Sequence, residues 1–266
     1  IRNVGRRIGL ISVLALAGSL AYAIPVTVTF VDGNAQVQAG SIWKVLDFDD
    51  RIDSAQSVRL TAGAVLELKS QTGSTVTIAA AGTYLVDTLF KPKTEPGAVA
   101  AVAGKLEKLA SGGKQDVTVA GVRGSEAVVA KETMWAGGTA EADEVYGEAG
   151  AASKSGNFAE AWSLYMESLY LYQDASDPTG AARAAYQASL AAIAAGSGAK
   201  ALSSLRAAVP DDAGALRSSY ALALATLSAR YGAVEDAKAL LRRSIDGGWF
   251  DDPVMLADAK SLLSGL

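Results

Sequence analysis

The sequence predicts an α+β chain of two domains: a mostly antiparallel β domain with one helical insertion, then an all-α domain built from helix hairpins. Two periods carry this expectation. Between Val26 and about Lys131 apolar residues mostly alternate with polar ones, the mark of strands with one buried face. From Thr139 onward Ala, Leu and Tyr recur at 3.6-residue spacing, and Gly or Pro falls only where helices would end. A third observation bounds the chemistry: the 266 residues include no cysteine and no histidine.

The first element is residues 1–23, where Arg2, Arg6 and Arg7 precede an apolar run from Ile8 to Leu20 and the small-x-small pattern Ala21-Tyr22-Ala23. This is the layout of a secretory signal peptide. The run is shorter than the roughly twenty apolar residues of a spanning helix, so cleavage is expected. If uncleaved, residues 1–24 would be an N-terminal anchor and the chain's one membrane contact. Removing three basic side chains and no acidic one takes the formal charge from −4 to −7. An acidic exported chain lacks the basic footprint that nucleic acid or anionic lipid requires.

The β domain is expected over residues 24–133. Its strands are read in "VTVTFVDGNAQVQ", "SVRLTAGAVLELK", "STVTIAAAGTYLVDTLF" and "QDVTVAGVRGSEAVVAK", with Asp32-Gly33-Asn34 as a hairpin turn because Gly and Asn accept positive φ. The acidic stretch "DFDDRID" (47–53) invites a calcium reading. It fails the EF-hand template, which wants Gly at the sixth position and Glu at the twelfth, where this chain has Ile52 and Val58. Turn chemistry is expected there instead, since Asp side chains bond backbone N–H groups two residues on. "PGAVAAVAGKLEKLASGG" (96–113) places Val99, Val102, Leu106 and Leu109 at helical intervals, and is read as the helical insertion, laid across the sheet.

Residues 134–139 form the expected linker, with Gly137-Gly138 as the boundary, and the helical domain runs over 140–266. It contains a repeat. Gly156/Ala161/Tyr165, Gly196/Ala201/Leu205 and Gly232/Ala237/Leu241 share one spacing, in which a small residue lets two helices approach and a large one fills the groove between them. Asp252 before Pro253 predicts an N-cap and first-turn proline of a last helix that covers the end of the stack.

"SGNFAEAWSLYMESL" (155–169) resembles the turn and second helix of the tetratricopeptide repeat family, and the resemblance spans about residues 140–250. The Trp and Leu-Gly of that family's first helices are replaced here by Val145, Ala185, Ala221 and small residues. The alternative is an Ala-rich bundle with no shared superhelix. In the first half, "AGSIWKVLDFDDRIDSAQSVRLTAGAVLEL" and "VTVAGVRGSEAVV" resemble the FecR-type domain of bacterial envelope proteins, over about residues 28–131. That match puts Trp43, Asp50, Ser54, Val122, Arg123, Gly124, Ser125 and Glu126 at motif positions, and implies a structural role for them in the β domain. Because seven residues precede the apolar run, the family's relay to a cytoplasmic sigma factor is not carried over.

Without imidazole or thiolate, the Ser–His and Cys–His nucleophile pairs and nearly all zinc, copper and non-haem iron sites are excluded. The expectation is a non-enzymatic periplasmic or envelope scaffold with no cofactor and no metal, taking a protein partner and serving as subunit of a larger assembly. The partner-binding groove on the first helices is expected to present Asp143, Tyr146, Lys154, Arg183, Tyr186 and Arg230; interhelix packing is the alternative role for the two tyrosines. Two other classes stand beside it. One is a FecR-type ligand sensor; the other is a carboxylate-based glycan hydrolase using Asp49 with Glu67, or Glu141 with Glu144.

Overall fold

The computed structural model describes residues 24–92, 94–112 and 138–266. It is an α+β chain: an N-terminal antiparallel β region of two four-stranded sheets, followed by a helical region. The strands are β1 (Pro25–Asp32), β2 (Ala35–Ala39), β3 (Ile42–Val45), β4 (Arg51–Asp53), β5 (Ser57–Leu60), β6 (Val65–Ser70), β7 (Thr75–Ile78) and β8 (Gly82–Leu85). One sheet has the order β4-β1-β6-β7 and the other β3-β2-β5-β8. Their inner faces share a core, in which Val26, Val28, Leu66, Leu68 and Ile78 meet Ala35, Val37, Val58 and Leu60.

Within the described residues the alternating runs are strands, while "QDVTVAGVRGSEAVVAK" (115–131) lies outside them; the expected hairpin at Asp32-Gly33-Asn34 is overturned. β1 and β2 lie in different sheets, so this turn carries the chain across the sandwich. Gly33 has φ 74°, and a Cβ there would sit 3.0 Å from the Ala64 Cα. Close backbone approach at the crossing, as well as positive φ, is what the position needs. β6 also departs from simple alternation, because Val65, Leu66, Glu67 and Leu68 are all buried in succession. Helix α6 (Gly198–Arg206) packs on the outer face of its sheet, so the strand is enclosed on both sides. "LVDTLF" is likewise not all strand, since a short helix α1 (Val86–Leu89) follows β8.

The remaining helices are α2 (Gly97–Ala110), α3 (Ala140–Lys154), α4 (Phe158–Asp174), α5 (Pro178–Ala194), α6 (Gly198–Arg206), α7 (Arg217–Arg230), α8 (Val234–Asp246) and α9 (Pro253–Gly265). Hairpins α3–α4, α5–α6 and α7–α8 stack in chain order. The repeat seen in the sequence has a structural counterpart. Gly156, Gly196 and Gly232 sit at φ 80°, 77° and 93° at the hairpin turns. Ala161, Ala201 and Ala237 are wholly buried at 0% exposure, beside the buried Tyr165, Leu205 and Leu241. Asp252 caps α9 by accepting from the Val254 N–H at 2.8 Å, with Pro253 in the first turn, as the sequence predicts.

The β region is packed onto the helices. The Ala79 N–H donates to the Tyr231 carbonyl at 2.8 Å, Ser203 Oγ donates to Asp32 at 2.6 Å, and Arg206 donates to the Gly63 carbonyl at 3.0 Å. Val65 and Phe30 of the β region join the same apolar cluster as Leu202 and Leu205 of α6. The expectation that helix 96–113 lies across the sheet is corrected. α2 packs on α5, α7 and α9, because its Val99 and Val102 find Leu222, Ala225, Met255 and Leu262 there.

Candidate functional site

The first helices of the hairpins, α3, α5 and α7, carry the expected groove residues. Asp143 and Tyr146 on α3 and Arg183 on α5 come together around Tyr172 of α4. Arg183 Nη2 donates to the Tyr172 hydroxyl at 2.6 Å and to Asp143 at 3.2 Å, while the Tyr172 O–H donates to Asp143. The Arg183 guanidinium lies 4.4 Å from the Tyr146 ring centroid, and Tyr146 meets Tyr165 edge-on at 5.2 Å. Burial, then the hydrogen bond to Asp143, pushes the Tyr172 hydroxyl up to about 12, against a smaller opposing effect of Arg183. Burial also pushes Tyr165 up to about 12. The cluster ties three helices together, and its cation is already neutralised by Asp143.

One of the six expected groove residues needs correction. Tyr186 is fully buried at 0% exposure against Tyr220, their ring centroids 6.2 Å apart, so it packs α5 on α7 and lines no groove. Burial pushes its hydroxyl up to about 12; Ser219 acts on it in the other direction, yet stands outside hydrogen-bond geometry. Arg230 is engaged within the chain. It pairs with Glu107 of α2 at 2.6 Å and with Glu95 at 3.2 Å, its side chain 32% exposed. Lys154 is exposed at the end of α3.

α2 is the element expected on the sheet that packs on the helices instead. Its buried Val99, Val102 and Leu106 face the helices, and each such side chain contributes about 1.5–3 kcal/mol on burial. Lys105 Nζ reaches both carboxylate oxygens of Asp258 on α9, at 2.7 and 2.6 Å. Next to α2 and the outer edge of β7 lie two neighbouring clefts of about 520 and 470 Å³, both lined by Thr75, Thr77, Arg230 and Tyr231. Burial raises the Tyr231 hydroxyl, Arg230 opposes this, and Glu67, Glu107 and Glu95 reinforce it. The helical spacing of 99, 102 and 106 was legible; the surface it would meet was not.

In the β region, the acidic stretch is turn chemistry. The Asp47 N–H donates to Asp50 Oδ2 at 2.7 Å, the Phe48 N–H to Asp47 at 2.8 Å and the Ala55 N–H to Asp53 at 2.9 Å. Asp49 takes φ 66°, a left-handed conformation that Asp tolerates. Trp43 lies under the Arg59 guanidinium at 4.4 Å, and Ser54 Oγ accepts from the Ile24 N–H at 3.1 Å. Val122, Arg123, Gly124, Ser125 and Glu126, with the segment 1–23, lie outside the described residues. The carboxylate pairs offered for hydrolysis are placed differently from one another. Glu67 is buried and accepts from Thr29 at 2.9 Å, Asp49 sits in an exposed turn, and Glu141 and Glu144 are exposed on α3.

No protein-family model, curated protein or solved structure matches the chain. Its function is therefore argued from its own geometry. Among the described residues no helix is long and apolar enough to cross a membrane, and no group of three or more acidic side chains is arranged to hold a metal ion.

Proposed function

We propose that this chain is a non-enzymatic protein-interaction module of the bacterial cell envelope, FecR-like in its β region and tetratricopeptide-like in its helical region. The observation that carries this reading is that the first-helix face of α5 and α7 receives an amphipathic helix, α2, through apolar packing and paired charges. A face that seats one helix has the chemistry to seat others. The repeated Gly, Ala and large apolar positions support the tetratricopeptide likeness, since they set one hairpin geometry three times. The turn role of Asp50 supports the FecR likeness, with Trp43 on β3 of one sheet and Ser54 at the end of β4 of the other. Export rests on residues 1–23, and docking into a larger envelope assembly is the role assigned to the β region.

The test is site-specific photo-crosslinking in cell envelopes, with the crosslinking side chain at Lys154 on the first-helix side and, for comparison, at Tyr170, which is 55% exposed on α4. One protein adduct at Lys154, identified by mass and suppressed by excess purified chain, is expected. Adducts of equal pattern at both positions, or none at Lys154, would overturn the reading. Incubation with purified cell-wall glycan bears on the hydrolase alternative, and release of soluble fragments by the chain would displace the scaffold reading.

A further inference from the structure

The helices α3 to α8 pair with one another in chain order, whereas α2 joins them from an earlier position, between the β region and the first hairpin. It fits their face as a ligand fits a site. Val99, Val102 and Leu106 form a stripe at i, i+3 and i+7, the spacing by which a helix lays one face into a groove. Val99 and Val102 enter a cluster with Leu222, Ala225, Ala259 and Leu262, while Leu106 joins the larger core. Both flanks of the stripe are matched in charge: Lys105 meets Asp258 of α9, and Glu107 meets Arg230 of α7.

α2 is also weakly built as a helix. Its 14 residues include Gly97 and Gly104, and among the described residues its first turn has no side-chain capping bond. A helix of that length is marginal by itself in water, so the groove maintains its form.

We propose that the groove formed by α5, α7 and α9 is a binding site for an amphipathic helix, that α2 occupies it within the chain, and that its external partner is a helix of the α2 pattern. That pattern is Val or Leu at i, i+3 and i+7, Lys at i+6 and Glu at i+8. The ligand's lysine goes to Asp258 and its glutamate to Arg230. The partner gains access as α2 leaves, so the site is closed until a helix of better fit competes. This inference rests on the interaction-module reading above and gives its groove a ligand class and a means of control.

The experiment uses the full chain and a fluorescein-labelled peptide of residues 96–112, PGAVAAVAGKLEKLASG, as probe. A released chain, Val99→Asp/Val102→Asp/Leu106→Asp, has its own α2 expelled. The peptide is expected to bind the released chain at least tenfold tighter than the unaltered one. Asp258→Lys/Arg230→Glu added to the released chain should weaken binding at least tenfold, and a peptide with Lys105→Glu and Glu107→Lys should restore it. Equal binding to released and unaltered chains, or no binding to a released chain that keeps cooperative thermal unfolding and all helical circular dichroism but the share of α2, overturns the proposal.

If the released chain does not fold, hydrogen exchange on the unaltered chain decides. α2 amides are expected to exchange at least tenfold faster than those of α5 and α7, and equal protection overturns the proposal. Light scattering reports the other occupant: a dimer that the peptide converts to monomer would mean that α2 is exchanged between two copies, against the proposal. Peptide binding without a Lys154 crosslink would retain the helix site and sink the envelope-module reading; a crosslink without peptide binding would do the reverse.

Discussion

Lys105 of α2 and Asp258 of α9 are 153 residues apart in sequence and 2.6 Å apart in space, with side chains 33% and 22% exposed. Partial enclosure makes the pair stronger than an exposed ion pair, which is worth about 0–1 kcal/mol. Removing either partner by Lys105→Ala or Asp258→Ala is expected to cost about 1–2 kcal/mol in urea unfolding. The double variant should cost less than the sum, giving a coupling of about 1 kcal/mol that shrinks in high salt. Strict additivity would show that the two side chains do not act on each other.

Two buried tyrosines should respond differently to loss of the hydroxyl. The Tyr220 hydroxyl donates to the Leu205 carbonyl at 2.6 Å, whereas the Tyr186 hydroxyl has no hydrogen-bond partner among the described residues. Tyr220→Phe is expected to destabilise by about 1 kcal/mol, because it leaves a buried carbonyl short of a donor. Tyr186→Phe should be neutral or stabilising by up to about 1 kcal/mol, because it removes an unsatisfied polar atom. Thermal unfolding of both variants checks this, and a Tyr186→Phe loss as large as that of Tyr220→Phe would contradict it.

These residues also show what a single sequence conveys. Alternation identified the strands in the described residues, yet a period of two says which face is buried and not which sheet a strand joins. Asp32-Gly33-Asn34 thus has hairpin composition while the chain crosses the sandwich there, at the close contact of Gly33 with Ala64. The repeat register put Tyr186 where Tyr146 stands in the preceding hairpin. Tyr146 keeps an open side under Arg183, but Tyr186 is covered by Tyr220 of the next hairpin, a neighbour that spacing within one helix does not reveal. The stripe on α2 was visible for the same reason that its destination was hidden: amphipathicity defines a face and leaves the partner open.

The repeated small positions should be intolerant of size. Ala161, Ala201 and Ala237 are wholly buried where the helices of a hairpin approach. Ala201→Leu is expected to cost about 1–3 kcal/mol through overpacking. Leu205→Ala, one turn on, should cost about 2–5 kcal/mol through the cavity it leaves. The same pair of losses should recur with Ala237→Leu and Leu241→Ala. If the Ala237 and Leu241 changes are silent in chemical denaturation while those at Ala201 and Leu205 are not, the hairpins do not share one packing rule.

Alkali should unfold the chain in a defined window. Tyr165, Tyr172 and Tyr186 are each pushed up from 10.0 to about 12 in the folded state, by burial first in every case. A raised pKa means that folding favours the neutral phenol. The stability linked to each is therefore complete below pH 10 and is lost as pH rises from about 10 toward 12, by on the order of 2 kcal/mol per tyrosine. Absorbance at 295 nm should show these phenols ionising together with loss of helical circular dichroism. Tyr172→Phe removes one such phenol, together with its bonds to Asp143 and Arg183. That variant should be less stable at neutral pH yet lose less stability between pH 10 and 12. A decline as steep as that of the unaltered chain would show that Tyr172 does not contribute to the alkaline transition.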